Sequence, residues 1–520
     1  MKRILSLSII ILLVIGSFAA CAKQGSNETQ DPIIQTVYGQ VQGFVIDGVT
    51  VFKGIPFAAP PVGNLRFAPP QPIEPWEGIL DCTKFKESAM QKNKGLSEMS
   101  EDCLYLNIWT PEDAVGKKLP VLVYIHGGGY ANGSPANSTY EGTRFAKDGV
   151  IQVNVAYRLN VFGFIADQEI EAQYGYLGNA GMLDQVASLK WVKENIESFG
   201  GDPDNITISG ESAGSFSVST LIESPLAKGL FNRAILESGN LLGQQMVSSK
   251  ANGSVEQALV AKDNFYQKLN VKSLAEIQAL SAQVISEAAP YSSDMSAPTQ
   301  NFWPIFDGKA IPSDPYKALV NGDINAVDIL GGYNSDEGTM FITHEIDELT
   351  YSEFVESLFG TEKARAVLDR YPVNEDYTPT ERAHFIIEMG IRFGTDVFAN
   401  ELTKQGHNAY LYNFDYMFPE LEKKGLGTAH GIELIFVFDT LPSNIKLTDD
   451  LIAFKEQVHT YWLNFIKNGD PNQGDSVAIE WPKYDAETKM TLKLNNNIKA
   501  IPAEEVEDIE FFTHLLWDED

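Results

Sequence analysis

The stretch Gly210-Glu211-Ser212-Ala213-Gly214 is the part of the chain that decides the fold, because it fits the pattern Gly-x-Ser-x-Gly. In that pattern a sharp turn between a strand and a helix lifts a serine hydroxyl clear of a sheet. Residues 205–209 before it are typical of a short buried strand, and residues 215–222 after it can begin a helix. Both glycines are needed because a side chain at either place would clash with the neighbouring strand or helix. A turn rich in glycine and serine is the plain alternative, so other motifs must decide.

A second glycine motif follows an apolar run at residues 119–125, which is typical of a strand covered on both faces. It contains Gly127, Gly128 and Gly129 in a row, directly after a histidine. Such a run leaves backbone N–H groups free of side-chain cover, so they can point at a developing oxyanion. In hydrolases a motif of this type supplies one half of the oxyanion hole, and the N–H after the serine, here that of Ala213, supplies the other half. A flexible loop is the alternative, but the place directly after a buried strand favours the oxyanion hole.

The composition allows one large domain and excludes several kinds of partner. The chain has 520 residues, 44% of them hydrophobic, and its middle contains no linker-like segment or internal repeat. Acidic residues outnumber basic ones, 70 against 39, for a formal net charge of −31. Nucleic acids need basic patches, so they are not expected partners. No spacing typical of a zinc, calcium, P-loop or dinucleotide site is present, so we expect no metal and no organic cofactor.

Residues 1–20 are predicted to be a signal peptide. Positive charge precedes an apolar segment at residues 4–15, which is short for a membrane-spanning helix. The small residues before Cys21 resemble a bacterial lipobox, in which the cysteine is lipidated and becomes the new N-terminus. Ordinary cleavage after Ala19 is the alternative. We therefore expect an exported protein, tethered to a membrane through Cys21 on the periplasmic side or the cell surface.

Residues 21–31 are polar and predict a flexible tether, so residues 32–520 are expected to form the folded domain. Two cysteines remain in that domain, Cys82 and Cys103. Export favours oxidation, so a disulfide between them is the first expectation. Two free buried thiols are the alternative.

From about residue 120 onward, predicted strands alternate with predicted helices. Strands are expected at residues 150–157, 205–209, 233–238, 328–332, 409–414 and 490–494, the last of them closing the series. This alternation predicts a mostly parallel sheet with helices on both faces. Ligands of such sheets bind at the carboxyl ends of the strands, where both glycine motifs lie. Before this region, Asp47-Gly48 predicts an antiparallel hairpin, and residues 250–300 and 340–405 are predicted helical inserts over the site.

A serine at neutral pH needs a base to become a nucleophile, and the base needs an orienting carboxylate. In this class of fold the order along the chain is serine, acid, histidine. Six of the seven histidines follow Ser212. Five fit poorly, because they lie in predicted helices, in the inserts or at the wrong end of a strand: His344, His384, His407, His459 and His514. By elimination His430, in a glycine-flanked loop, is the candidate base, and for the acid spacing cannot choose between Asp336 and Glu337.

Taken together, residues 36–513 resemble the type-B carboxylesterase and lipase family, which includes cholinesterases and bacterial para-nitrobenzyl esterases. The matching segments are FKGIPFA at 52–58, SEDCLYLNIW at 100–109, HGGG at 126–129, GNAGMLDQ at 178–185, GESAG at 210–214, NSDEG at 334–338 and HGIE at 430–433. The resemblance implies an α/β-hydrolase fold and a serine carboxylic-ester hydrolase without a cofactor.

The family pattern also implies roles for individual residues. Ser212 would be the nucleophile, Glu337 the acid and His430 the base. The oxyanion donors would be the N–H groups of Gly128, Gly129 and Ala213. The pattern further implies the disulfide between Cys82 and Cys103, and Ser238 resembles a serine that supports the acid.

One departure from the family limits the substrate. Cholinesterases carry a tryptophan between the two cysteines that binds the cation of choline, and residues 82–103 contain no tryptophan. Choline esters are therefore not expected substrates, since a quaternary ammonium needs an aromatic partner. We expect hydrolysis of short to medium acyl esters. The alternatives are a true lipase, a carbohydrate acyl-esterase and a non-catalytic esterase-like binding protein on the cell surface.

Overall fold

A computed structural model describes residues 31–92, 98–247, 253–292, 294–296 and 302–517. The predicted signal peptide, Cys21 and the predicted tether up to residue 30 lie outside the described residues. The described residues from Pro32 onward form one compact unit.

Buried apolar runs form the strands at the centre of the molecule. The strands of the described residues are β1 Ile33–Gln35, β2 Gln40–Gln42, β3 Phe44–Ile46, β4 Val49–Pro56, β5 Ile79–Asp81, β6 Ser88–Ala89, β7 Met99–Ser100, β8 Tyr105–Pro111, β9 Leu119–Ile125, β10 Ile151–Val155, β11 Gly201–Glu211, β12 Arg233–Glu237, β13 Asp328–Asn334, β14 Ala409–Phe414, β15 Met490–Leu494 and β16 Lys499–Pro502. Every residue of β10 and of β14 is buried, as expected for strands covered on both faces.

Eleven of these strands form one sheet, in the order β16-β15-β14-β13-β12-β11-β9-β10-β8-β4-β3. The strands from β15 to β10 in that order are parallel. The strands β8, β4 and β3 at one end and β16 at the other pair antiparallel with their neighbours. The predictions of a mostly parallel sheet and of the hairpin around Asp47-Gly48 are confirmed.

Helices cover both faces of the sheet. They are α1 Thr143–Lys147, α2 Asn160–Phe164, α3 Gln168–Tyr174, α4 Ala180–Asn195, α5 Ala213–Glu223, α6 Gln244–Val247, α7 Val255–Leu269, α8 Leu274–Gln278, α9 Ala282–Ala288, α10 Pro315–Asn321, α11 Glu348–Arg370, α12 Pro379–Lys404, α13 Pro419–Glu422, α14 Leu434–Val437, α15 Asp449–Asn468 and α16 Val506–Trp517. The helices α4, α5 and α12 bury apolar side chains in a core on one face, and α14 and α15 bury theirs on the other. Within the described residues, no helix combines the length and the apolar composition needed to cross a membrane.

The sequence of β14 shows how one strand serves both cores. Tyr410 and Tyr412 belong to the core that α15 covers, and Ala409 and Leu411 belong to the core on the opposite face. The ring centroid of Tyr412 lies 5.1 Å from that of Trp462 on α15. Alternation along the strand therefore decides which helix layer each side chain meets.

The prediction that residues 490–494 form the last strand is wrong. The strand β16 follows β15 and pairs antiparallel with it at the edge of the sheet. Lys499–Pro502 is mostly exposed, so it lacks the buried apolar pattern that predicts a strand. It ends in proline, which an edge strand tolerates.

The predicted disulfide is also absent, since Cys82 and Cys103 are both free and buried. Burial raises the pKa of the Cys82 thiol to about 12 and that of the Cys103 thiol further above its usual range. Each thiol therefore stays neutral and packs as a small apolar group. The expectation rested on compartment and family, and neither fixes the distance and direction that a sulfur–sulfur bond requires.

Candidate active site

Ser212 lies on the turn between β11 and α5, where the sequence motif predicts it. Its backbone φ of 56° and ψ of −127° fall outside the regions that ordinary residues favour. The turn is held by the Ser212 N–H, which donates to the carbonyl oxygen of Glu237 at 2.9 Å. A strained residue that the surrounding structure holds in place is typical of a functional site.

The glycines of this turn are required by contact with β9. A Cβ atom at Gly214 would overlap the carbonyl oxygen of Ile125, the last residue of β9. A Cβ atom at Gly210 would overlap the backbone of Gly214 itself. The strand before the serine, the helix after it and the neighbouring strand therefore approach more closely than any side chain permits.

The second glycine motif continues directly from β9 and faces the serine. Gly128 and Gly129 have φ angles of 109° and 61°, in the left-handed region that favours glycine. Ala213 is the first residue of α5, so its N–H is one of the helix N-terminal donors without an intrahelical acceptor. All three of these residues line the same cavity as Ser212.

The two carboxylates that spacing could not separate have different partners. Glu337 is fully buried, and its Oε2 lies 2.5 Å from Nδ1 of His430. Its other oxygen accepts the N–H of Asn334 at 2.7 Å. Asp336 instead accepts the N–H of Thr428 at 2.7 Å, on the loop that leads to the histidine. Glu337 therefore meets the imidazole, whereas Asp336 holds the loop.

The other nitrogen of the imidazole faces a carboxylate that the sequence did not single out. Nε2 of His430 lies 3.1 Å from Oε1 of Glu211, without the angles of a hydrogen bond. Among the hydrogen bonds of the described residues there is none between His430 and Ser212. The signal for Glu211 was its place directly before the serine in the motif.

Charge and burial act in opposite directions on this group of residues. Burial alone would lower the pKa of His430, but the charges of Glu211 and Glu337 outweigh burial and raise the pKa above its usual value. Burial raises the pKa of Glu211, although the positive charge of His430 opposes the rise. The pKa values of Glu211 and His430 therefore depend on each other.

Ser238 contacts a different carboxylate from the one that the resemblance implies. Its Oγ donates to Oε1 of Glu433 at 3.5 Å. Oε2 of Glu433 accepts from Nδ2 of Asn334 at 2.6 Å, and burial raises the pKa of this carboxyl well above its usual range. Ser238 is therefore linked to Glu337 through Glu433 and Asn334.

The site opens into a cavity of about 740 Å³. Apolar side chains from the predicted inserts contribute to its wall, among them Met295, Met340, Phe341 and Ile391. The predicted inserts therefore reach the site.

Known proteins are similar to this chain over most of its length. The model of the carboxylesterase family matches residues 30–511. The chain belongs to the carboxylesterase family. It is 36% identical over 492 residues to the para-nitrobenzyl esterase of Bacillus subtilis (strain 168), which covers 90% of this chain and 95% of that protein. It is 33% identical over 548 residues to carboxylesterase 1C of Mus musculus, which covers 97% and 96%.

Solved structures agree with this carboxylesterase assignment. A para-nitrobenzyl esterase structure superposes with a TM-score of 0.81 at 33% identity, over 92% of this chain and 99% of that chain. The carboxylesterase of Geobacillus stearothermophilus gives a TM-score of 0.78 at 33% identity, with the same coverage. The α/β-hydrolase fold is thereby confirmed, and the protein is a carboxylic ester hydrolase.

In this carboxylesterase the cavity brings together most of the predicted site residues. Ser212, His430, Gly128, Gly129 and Ala213 line the same cavity. Glu337 lies behind the histidine as its buried partner. Cys21 lies outside the described residues.

Proposed function

We propose that this carboxylesterase hydrolyses esters of short to medium acyl chains through Ser212, Glu337 and His430, with an acyl-enzyme intermediate. The observation that carries the proposal is the 2.5 Å contact between Glu337 Oε2 and His430 Nδ1 beside a cavity that also contains Ser212. With Nδ1 committed to Glu337, only Nε2 remains to take a proton from the serine. Glu337 thereby fixes the tautomer that a general base needs.

In the first step Nε2 of His430 takes the proton of Ser212, and Oγ attacks the ester carbonyl. Because Nε2 has no hydrogen-bond partner among the described residues, this step requires Nε2 and Oγ to come within hydrogen-bond distance of each other. The tetrahedral oxyanion then accepts hydrogen bonds from the N–H groups of Gly128, Gly129 and Ala213. Removing one donor of this kind typically costs ~3–4 kcal/mol of transition-state stabilisation.

Collapse of the first tetrahedral intermediate breaks the bond to the alcohol, to which His430 returns its proton, and leaves the acyl-enzyme. In the second half of the reaction water enters and attacks the acyl carbonyl while His430 takes a proton from it. His430 then returns that proton to Oγ of Ser212 as the carboxylic acid leaves. Every proton in the cycle passes through Nε2 of one imidazole. The carboxylate of Glu337 stabilises the imidazolium that forms in each half.

The assignment is tested with Ser212→Ala on a series of p-nitrophenyl esters from acetate to palmitate. We expect turnover to be lost while the far-ultraviolet circular dichroism spectrum and the melting temperature stay close to those of the wild type. Ser357→Ala is the matched control, because the Ser357 hydroxyl on α11 donates to the carbonyl oxygen of Phe354 in its own helix. Turnover retained in Ser212→Ala would refute the assignment of Ser212 as the nucleophile.

The same ester series tests the substrate range. Highest kcat/KM on short chains supports the proposed range, and a long-chain optimum would favour the lipase alternative. If only acylated sugars are hydrolysed, the carbohydrate acyl-esterase alternative is correct. We expect no preference for choline esters, because residues 82–103 lack a tryptophan.

We further propose that the enzyme is exported and tethered to a membrane by a lipid on Cys21. The support is the sequence of the first 31 residues, with its charged start, short apolar segment and lipobox-like end. Cys21→Ala should move the enzyme from the membrane fraction to the soluble fraction. An unchanged distribution would show that Cys21 is not the anchor.

A further inference from the structure

Six charged side chains form a cluster at the meeting point of α1, α15 and the chain after α14. The cluster, named the Arg144 cluster here, consists of Arg144, Lys455, His459, Asp148, Asp439 and Glu456. The guanidinium lies 2.6 Å from Asp148 and 2.7 Å from both Asp439 and Glu456. The lysine ammonium lies 2.5 Å from Asp439. With His459 protonated, three cations balance three carboxylates.

His459 is the buried member of this cluster, with a relative exposure of 1%. Its Nδ1 lies 2.7 Å from the carbonyl oxygen of Val437, and its Nε2 lies 3.0 Å from Oδ2 of Asp148. Both partners are acceptors. A neutral imidazole has one N–H donor and one acceptor nitrogen, so only the doubly protonated ring can donate both bonds.

Asp148, the carboxylate opposite His459, is ionised at neutral pH and can accept a hydrogen bond from the imidazolium. Burial alone would raise the pKa of Asp148, but the hydrogen bonds and charges of His459 and Arg144 outweigh burial and hold the pKa at about 2. Among the described residues, the polar groups that contact the imidazole are the Asp148 carboxylate and the Val437 carbonyl oxygen. Arg144, Asp439, Lys455 and Glu456 are joined to Asp148 through the ion pairs of the cluster. The Phe145 ring, 4.6 Å from the imidazole, covers it from water.

This cluster joins the two parts of the chain that carry the reaction. Val437 ends α14, which begins at Leu434, four residues after His430, and Leu434 lines the cavity. On the other side, Arg144 and Asp148 lie on and after α1, in the chain that follows the oxyanion loop. A second link lies nearby, because Thr440 Oγ donates at 2.7 Å to the carbonyl oxygen of Thr139, another residue of the cavity wall.

We propose that His459 is an imidazolium that positions the His430 loop against the oxyanion side of the site, by tying Val437 to Asp148 through two donated hydrogen bonds. It is a positioning residue, since it touches neither substrate nor serine. The inference rests on the proposed function, because it matters for rate only if His430 is the base. The buried charge is then a structural requirement of the catalytic geometry.

The protonation state is tested by nuclear magnetic resonance on the full-length enzyme labelled in its seven histidines. The signal of His459 is assigned from its absence in His459→Gln. At neutral pH we expect both ring nitrogens to carry a proton in the wild type, and one of these protons to be lost in Asp148→Asn. A single protonated nitrogen in the wild type would overturn the proposal, whatever the enzyme's activity.

The positioning role is tested by kinetics, with rates divided by the concentration of sites that react with a fluorophosphonate. This division removes any loss caused by unfolding. For His459→Gln we expect kcat per active site to fall about tenfold or more, with KM changed by less than about twofold, because a small displacement of a catalytic group mainly affects the chemical step. Asp148→Asn should cause a similar loss, and the double variant should lose much less than the product of the two.

The matched control is His407→Gln. His407 also faces a carboxylate, at 3.7 Å from Asp328, but it precedes β14, at the end of the strand away from the site. Its kcat should stay within about twofold of the wild type, as is usual for surface changes away from a site. Unchanged kcat per site in His459→Gln would refute the positioning role. If Ser212→Ala retains turnover, the proposed function fails. The protonation state of His459 measured by nuclear magnetic resonance does not depend on that outcome.

Discussion

Neutralising Glu211 should shift the pH dependence of hydrolysis while leaving the catalytic residues in place. Oε1 of Glu211 lies 3.1 Å from Nε2 of His430. Burial alone would lower the pKa of the histidine, and the charge of Glu211 is the largest of the influences that raise it instead. The change to test is Glu211→Gln, which keeps the shape and removes the charge.

The size of the shift follows from the distance. Two unit charges 3.1 Å apart interact by about 5 kcal/mol at an effective dielectric constant of about 20. A shift of one pKa unit corresponds to about 1.4 kcal/mol, so a permanent charge would account for more than about three units. Burial also raises the pKa of Glu211, so the charge is present for only part of the time. We therefore expect a shift of about one to two units.

The sign is fixed by the role of the base. In the proposed mechanism His430 must lose its proton before it can accept that of Ser212, so activity should rise as pH rises through the pKa of the histidine. Removing the negative charge lowers that pKa, and the acid limb of the profile moves to lower pH. The plateau should fall at the same time, because the imidazolium formed in the transition state loses a stabilising charge.

The assay is kcat/KM for p-nitrophenyl acetate between about pH 5 and about pH 11, corrected for spontaneous hydrolysis and at low ionic strength, because the pKa of His430 is raised to about 9. The control is Glu420→Gln, an exposed glutamate in the first turn of α13. The acid limb of the pH profile of Glu420→Gln should coincide with that of the wild type. An unmoved limb in Glu211→Gln would show that His430 does not sense this charge, and a move to higher pH would contradict the sign.

Three further outcomes are expected. Glu337→Gln should lower kcat at least about a hundredfold, and Asp336→Asn much less, because only the former contacts the imidazole; the reverse order would reassign the acid. The stability of Glu223→Gln relative to the wild type should improve as pH rises above about 4.5, measured as the difference in melting temperature. Burial raises the pKa of Glu223 in the folded protein, where its oxygens lack hydrogen-bond partners among the described residues. Above its ordinary pKa the carboxyl therefore ionises in the unfolded chain first, which lowers the free energy of unfolding of the wild type; equal pH slopes would contradict this. Adding a reductant should leave the melting temperature unchanged, because Cys82 and Cys103 are free thiols, and a fall would reveal a disulfide.

The local patterns of the sequence predicted the centre of the fold better than its edges. Buried strands such as β9 are continuous apolar runs, and the turn at Ser212 needs glycines that only close backbone contact explains. The edge strand β16 has no such pattern, since it buries little. Its pairing depends on the exposed backbone of β15, and that is a property of the assembled sheet.

Within the site, the sequence could supply candidates but could not separate neighbours. Asp336 and Glu337 are adjacent and chemically alike, and the choice between them depends on which side of a short turn faces His430. The family resemblance favoured Glu337, and Glu337 is the one of the two that contacts the imidazole, but its role as the acid stays a prediction. The link from Ser238 to Glu433 could not be found in this way, because it joins residues far apart in the chain.

The place of Glu211 follows from strand geometry, although the motif treats its position as free. Side chains alternate along β11, so Glu211 lies on the same face as Ser209, which pairs with Tyr124 in the core covered by α15. Ile208 lies on the opposite face, in the core that α5 covers. A residue directly before the serine of such a turn must therefore point away from α5, toward the layer that carries His430. A carboxylate at this position then meets the imidazole as a consequence of the fold, and the pH shift expected for Glu211→Gln therefore follows from the geometry of the sheet.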